Sequence, residues 1–130
     1  MKMKSGFMVS SAIAATLSFA GVASASQFNC GVFLDDEEKP AATARFDTAS
    51  GQRTTMQAGG FLGFVQVNEN NGKDEPLLLV GNAATDKTVS IAAYPMTADV
   101  MLTLLKVPTG KQAITTCVAA GMELVRPAGL

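Results

Sequence analysis

Two cysteines constrain this chain more than any other feature. Cys30 and Cys117 are the only two among its 130 residues. They stand near opposite ends of the region that can form a domain, so a bond between them encloses 88 residues in one covalent loop. Two cysteines in an exported chain normally pair. A redox couple normally uses a Cys-x-x-Cys spacing, which lowers one thiol pKa, and that spacing is absent. We therefore expect a structural disulfide joining the first and last strands of the fold.

Export is read from residues 1–25. Lys2 and Lys4 form a basic start, residues 6–23 carry no charge, and Ala23-Ser24-Ala25 fits the small-x-small pattern of a cleavage site after Ala25. The competing reading is a retained membrane anchor. The run is near the minimum length for a span and is rich in Ala, Ser and Gly, which favours cleavage. Gln27-Phe28-Asn29 before Cys30 do not suit lipoprotein processing. The expectation is an exported protein, periplasmic or secreted, with no stable membrane insertion after cleavage.

Cutting after Ala25 leaves 105 of the 130 residues, with eight basic and 11 acidic side chains and a net charge of −3. That length makes one domain, residues 26–130. A domain this small buries only about two-thirds of its unfolded surface, so a covalent staple matters. No basic patch is visible, which argues against nucleic acid as a partner. There is no histidine, so Ser-His-Asp and Cys-His catalysis are excluded.

Along the chain, the patterns are those of strands and turns. Residues 28–34 form a short apolar run carrying Cys30, ended by Asp35-Asp36-Glu37-Glu38-Lys39-Pro40. Residues 42–48 alternate with period two, and residues 53–56 return after a turn as a hairpin partner. Residues 61–67 are apolar with aromatic and β-branched side chains, and Gly63 marks a bulge or close approach. The loop 68–75 contains Asn71-Gly72, which tolerates positive φ. Strands follow at 77–80 and 87–94, separated by a turn at 81–86, with Val89, Ile91 and Ala93 on one face. Residues 97–107 fit an amphipathic helix capped by Thr97, or a strand that turns through Pro108-Thr109-Gly110 into 112–118. We prefer the hairpin, because Ala113-Ile114-Thr115-Thr116 is strand-like. Leu124 and Val125 could add a short strand before a flexible C-terminal tail.

Seven or eight short strands at regular spacing indicate an all-β fold, a small antiparallel sandwich or barrel. An outer-membrane barrel is disfavoured, because its strands need about 9–11 residues each and two aromatic belts, and this chain has one tyrosine.

Candidate chemistry is sparse. Asp35, Asp36, Glu37 and Glu38 concentrate charge but lack the alternate spacing of a calcium loop. They read as a solvated edge-protecting loop or as one that steers a basic partner. Asn70, Asn71 and Lys73 sit in the longest loop, a candidate recognition element. Met56, Met96, Met101 and Met122 have no histidine or free thiol beside them for copper, so core filling is expected. The stretch from Gly59 to Phe64 lacks the lysine of a phosphate loop. No cofactor or metal is implied. The expected function is a non-enzymatic module that presents loops or a sheet edge to a macromolecular partner, in the first instance a protein. Carriage of a small apolar ligand is the alternative, and a carboxylate-based hydrolase is a further one.

Overall fold

The computed structural model describes residues 26–50, 52–69 and 75–129. Among them are eight strands: β1 (Gln27–Leu34), β2 (Ala42–Asp47), β3 (Thr54–Ala58), β4 (Phe61–Asn68), β5 (Leu77–Ala84), β6 (Val89–Pro95), β7 (Val100–Lys106) and β8 (Gln112–Ala119). The helical structure among these residues is one 3-10 turn, Thr48–Ser50. The strands form two four-stranded antiparallel sheets, ordered β2-β1-β8-β7 and β3-β4-β5-β6. The expected all-β fold is therefore present, and of the two forms expected, sandwich or barrel, it is the sandwich; residues 97–107 supply β7 of a hairpin with β8.

The path is a meander that changes sheet twice, between β2 and β3 and between β6 and β7. It closes where β8 returns to β1, with Cys30 directly opposite Cys117 and their Cα atoms 4.0 Å apart. The disulfide formed there joins the first and last strands. Inward side chains from both sheets fill the space between them. Phe28, Val32, Phe46, Val65, Leu78, Val80 and Met101 are fully buried, as are both cysteines.

One layer of this core is polar. Asn82 on β5 is completely buried and reaches across to the other sheet. Its amide donates to the carbonyl of Thr103 at 2.9 Å and to that of Ala113 at 3.4 Å. Its Oδ1 accepts a hydrogen bond from the Thr115 hydroxyl. Gly63 faces Asn82 across β4–β5, and a Cβ there would lie 2.5 Å from Thr115 Oγ1. Glycine at this position lets the two sheets approach closely enough for the network to form.

The open side between β6 and β7 is bridged by side chains. The Tyr94 hydroxyl donates to the Leu102 carbonyl at 2.5 Å and accepts from the Leu102 N–H at 3.1 Å. Ser90 Oγ and Thr103 Oγ1 lie 3.1 Å apart. One phenol thus replaces a pair of ladder bonds at a point where no ladder forms. Tyr94→Phe should cost about 1–2 kcal/mol, since it leaves both Leu102 groups without that partner in a part-buried seam. Amide exchange at Leu102 should accelerate selectively. Unchanged exchange there would show that the hydroxyl does not hold the seam.

Three local readings differ from the sequence expectation. Residues 42–48 and 53–56 do not form the expected hairpin, because the chain crosses between sheets there: β2 is an edge strand of the first sheet, paired with β1, and β3 an edge strand of the second, paired with β4. The turn expected at 81–86 begins later, because β5 runs on to Ala84. Gly81 stays in the strand with the Phe64 ring lying against it, in the space that a Cβ would need. Leu124 and Val125 form no strand. Instead Leu124 packs over Gly31 on the outside of the first sheet, and Arg126 Nη1 donates to the Glu37 carbonyl at 3.0 Å. Val89, Ile91 and Ala93 share one face, as expected, and that face points to solvent, while Ser90, Ala92 and Tyr94 turn inward.

Candidate interaction surface

The meander sorts the loops by end. The β1–β2, β3–β4, β5–β6 and β7–β8 connections lie at one end of the sandwich, and the β2–β3, β4–β5 and β6–β7 connections leave from the other. Asp35, Asp36, Glu37 and Glu38 are exposed at the first end. Asn70, Asn71 and Lys73 lie outside the described residues, in the β4–β5 connection that leaves from the second end. The two expected recognition loops therefore do not start from a common surface.

The acidic loop is anchored to the body of the fold. Asp35 has φ of 52°, a conformation that aspartate tolerates better than most residues. Its N–H donates to the Gln112 carbonyl at 2.9 Å, and its Oδ1 accepts from the Gln112 N–H at 3.1 Å. Arg126 holds the Glu37 carbonyl from the C-terminal side. Among the described residues, no three of His, Cys, Asp and Glu converge as a metal site would require. At the same end, Asp86 accepts from the Thr88 side chain and N–H, which holds its carboxyl below the usual range.

The two sheets differ on their outer faces. On the first, Phe33 and Ile114 point away from the core and are nevertheless fully buried. The C-terminal segment runs over this face, with Leu124 beside Gly31 and Pro40 close by. The second sheet is strapped by no such segment among the described residues. None of the residues in its four strands is charged.

Cross-strand register orders this second face into rows. Gln57, Leu62, Ala83 and Val89 form one row, and Thr55, Phe64, Gly81 and Ile91 the next. Gln66, Leu79 and Ala93 follow, then Asn68, Leu77 and Pro95. Val89 and Ile91 stand up from the edge strand, 54% and 55% exposed. Phe64, by contrast, lies flat against Gly81 and is buried. The Arg53 guanidinium covers it, 4.7 Å from the ring centroid, while Arg53 Nε donates to Gln66 Oε1 at 2.6 Å. A depression of about 500 Å³ opens at one end of the face, lined by Gln57, Gly59, Gly60, Leu62, Ala83 and Thr85.

The chain matches no family model, no curated protein and no solved structure.

The charged loops drew the sequence reading, whereas the distinctive surface is uncharged. A signal for it exists in the residues. A strand with one solvated face alternates apolar and polar, whereas a continuous apolar run marks a strand covered on both faces. Residues 61–65 and 77–80 are such runs. Their outward members, Leu62, Phe64, Leu77 and Leu79, make up much of the apolar face.

Proposed function

We propose that this protein is an exported, non-enzymatic binding module that docks a protein partner on the outer face of the β3-β4-β5-β6 sheet. One observation carries the reading. Among the described residues, the C-terminal segment packs over part of the outer face of the β2-β1-β8-β7 sheet, with Leu124 against Gly31, and no such segment crosses the outer face of the other sheet. Contiguous exposed apolar patches are uncommon on soluble monomers and mark interaction sites. The face around Ile91, whose strands carry no charged residue, is where burial would gain most, at about 25 cal/mol per Å² of apolar area removed from water.

Export is supported by the pairing of both cysteines, which suits an oxidising compartment. No helix among the described residues is long and apolar enough to cross a membrane. The surface reading is favoured over an internal carrier because large side chains occupy the space between the sheets.

The test places a photo-crosslinking residue at Ile91 and, as a control, at exposed Thr43 on the other sheet. Adducts with another protein chain should form from position 91 and not from 43. Ile91→Lys should change stability by less than about 0.5 kcal/mol, because the side chain is mostly exposed, yet abolish capture. Equal labelling from both positions, or capture that survives Ile91→Lys, would remove the face from the proposal.

A further inference from the structure

We infer that β6 is a strand-accepting edge, on which the partner protein docks by adding an extended segment of its own main chain beside Val89, Ile91 and Ala93. This rests on the proposed docking role of the adjoining face and assigns the partner's mode of attachment.

The register shows which backbone groups are open. In an antiparallel pair, alternate residues turn both N–H and C=O toward the neighbouring strand, and the residues between them turn both away. The Ala84 N–H donates to the Thr88 carbonyl at 2.8 Å, which sets the phase of β5–β6. Ser90, Ala92 and Tyr94 therefore bond to Asn82, Val80 and Leu78, while Val89, Ile91 and Ala93 direct their N–H and C=O groups away from β5. The bond from the Thr85 N–H to the Gly60 carbonyl at 3.2 Å gives the complementary phase on the β4 side of β5. Among the described residues, no strand pairs with the outward side of β6.

The other three edges are obstructed or short. By the same alternation β2 turns Thr43, Arg45 and Asp47 outward. Two of these are charged, and the Asp47 carbonyl already accepts from Ser50 Oγ at 2.8 Å. On β7 the outward residues are Val100, Leu102, Leu104 and Lys106, and the Tyr94 hydroxyl occupies both groups of Leu102 within that row. On β3 only Thr55 and Gln57 face outward. Charge, covered backbone groups and short length are the means by which edges are kept from pairing. β6 uses none of them: it carries no charge, and its proline, Pro95, stands at the far end.

The open groups specify the occupant. N–H and C=O groups that recur at every second residue, roughly 6.6 Å apart, are matched by another extended main chain. The exposed side chains of Val89 and Ile91 on the same strand favour apolar residues at alternate positions of that segment. A second copy paired through β6 would continue the sheet sideways and leave its outer face bare. A segment of a different protein can pair with β6 and lay the rest of its chain over the face.

Hydrogen exchange read by NMR tests this on the purified protein. The probe is a blocked, lysine-flanked peptide of alternating valine and threonine. Without it, the amides of Val89, Ile91 and Ala93 should exchange faster than those of Ser90, Ala92 and Tyr94. Peptide at up to about 5 mM should slow the first three about tenfold and leave Thr55 and Gln57 unchanged. The same peptide N-methylated at every residue should have no effect. Ala93→Pro removes one outward N–H and no bond to β5, which an edge strand tolerates. With wild-type circular dichroism it should bind the peptide about tenfold more weakly, while Ala93→Val binds as the wild type does. No protection at the highest peptide concentration overturns strand addition, as does unweakened binding by Ala93→Pro. Slowing of the three amides with protein concentration alone places a second copy on the edge and overturns the assignment to a different protein. If position 91 still crosslinks to a partner while the peptide gives no protection, strand addition fails and the docking role of the face stands. If the peptide protects the edge while position 91 gives no adduct, the docking role fails and the strand-accepting edge stands.

Discussion

Replacing Cys30 and Cys117 together with alanine should destabilise the domain by about 3–5 kcal/mol. Chain entropy is the reason. The bond links residues 87 apart in sequence, so the oxidised unfolded chain is confined in a loop that includes most of the domain. The chain-entropy model assigns about 4–5 kcal/mol to closing such a loop, a large share of the roughly 5–15 kcal/mol by which domains of this kind are stable. The alanines also remove two fully buried sulfur atoms from the centre of the β1–β8 pair. Tm should fall on the order of 15–25 °C. Urea unfolding followed by far-ultraviolet circular dichroism, compared with the oxidised wild type, measures both. A loss below about 1 kcal/mol would mean that the β1–β8 register holds the ends together without the bond.

Asn82→Ala should cost about 2–4 kcal/mol, comparable to a large core truncation although the residue is polar. The substitution removes three hydrogen bonds at once, although the two carbonyls keep their partners in the β7–β8 ladder. The carbonyls of Thr103 and Ala113 lose their side-chain donor, and the Thr115 hydroxyl loses its acceptor. All lie where water does not reach, and an unmet buried polar group costs about 1–3 kcal/mol. The effect should not add to that of Thr115→Val. In the double variant the hydroxyl and its lost acceptor disappear together, so a double-mutant cycle should return a coupling of about 1 kcal/mol or more. Strict additivity would show that the two side chains do not act as one network.

Both predictions concern the same problem in a sandwich of this size. The two sheets share no backbone ladder, so sheet-to-sheet alignment depends on side chains. The disulfide works within one sheet, where it ties β1 to β8. Asn82 works between the sheets, where its bonds are directional in a way that apolar packing is not. Tyr94 closes the β6–β7 side in a similar manner, through a hydroxyl rather than a strand pair.

Much of this architecture can be read from local patterns. Alternation marks β2, and apolar runs between turn residues mark β4 and β5, because strand pairing between neighbours in sequence needs only short-range signals. The cysteines predict that the ends meet, since two oxidised thiols must lie within about 7 Å across their Cα atoms. The role of Gly81 was hidden, because a glycine among small residues looks like a turn until a neighbouring ring is seen to fill its place. Asn82 was hidden for a related reason: nothing in its neighbours says that the opposite sheet offers two carbonyls and a hydroxyl.

The candidate surface was the least legible part. Val89, Ile91 and Ala93 were read correctly as one face of a strand. Which way that face points depends on where the other sheet lies. Ser90, Ala92 and Tyr94 turn inward because Tyr94 and Ser90 find partners on β7, and the larger aliphatic side chains are left outside. The sequence alone determined most of the strands and the covalent closure by Cys30 and Cys117, because these depend on periodicity, turn chemistry or the reach of a bond, whereas the change of sheet between β2 and β3 left no local signal. Only the tertiary structure decided over which sheet the C-terminal segment packs. That choice depends on contacts such as Leu124 on Gly31, between residues too far apart in the chain for any local pattern to record.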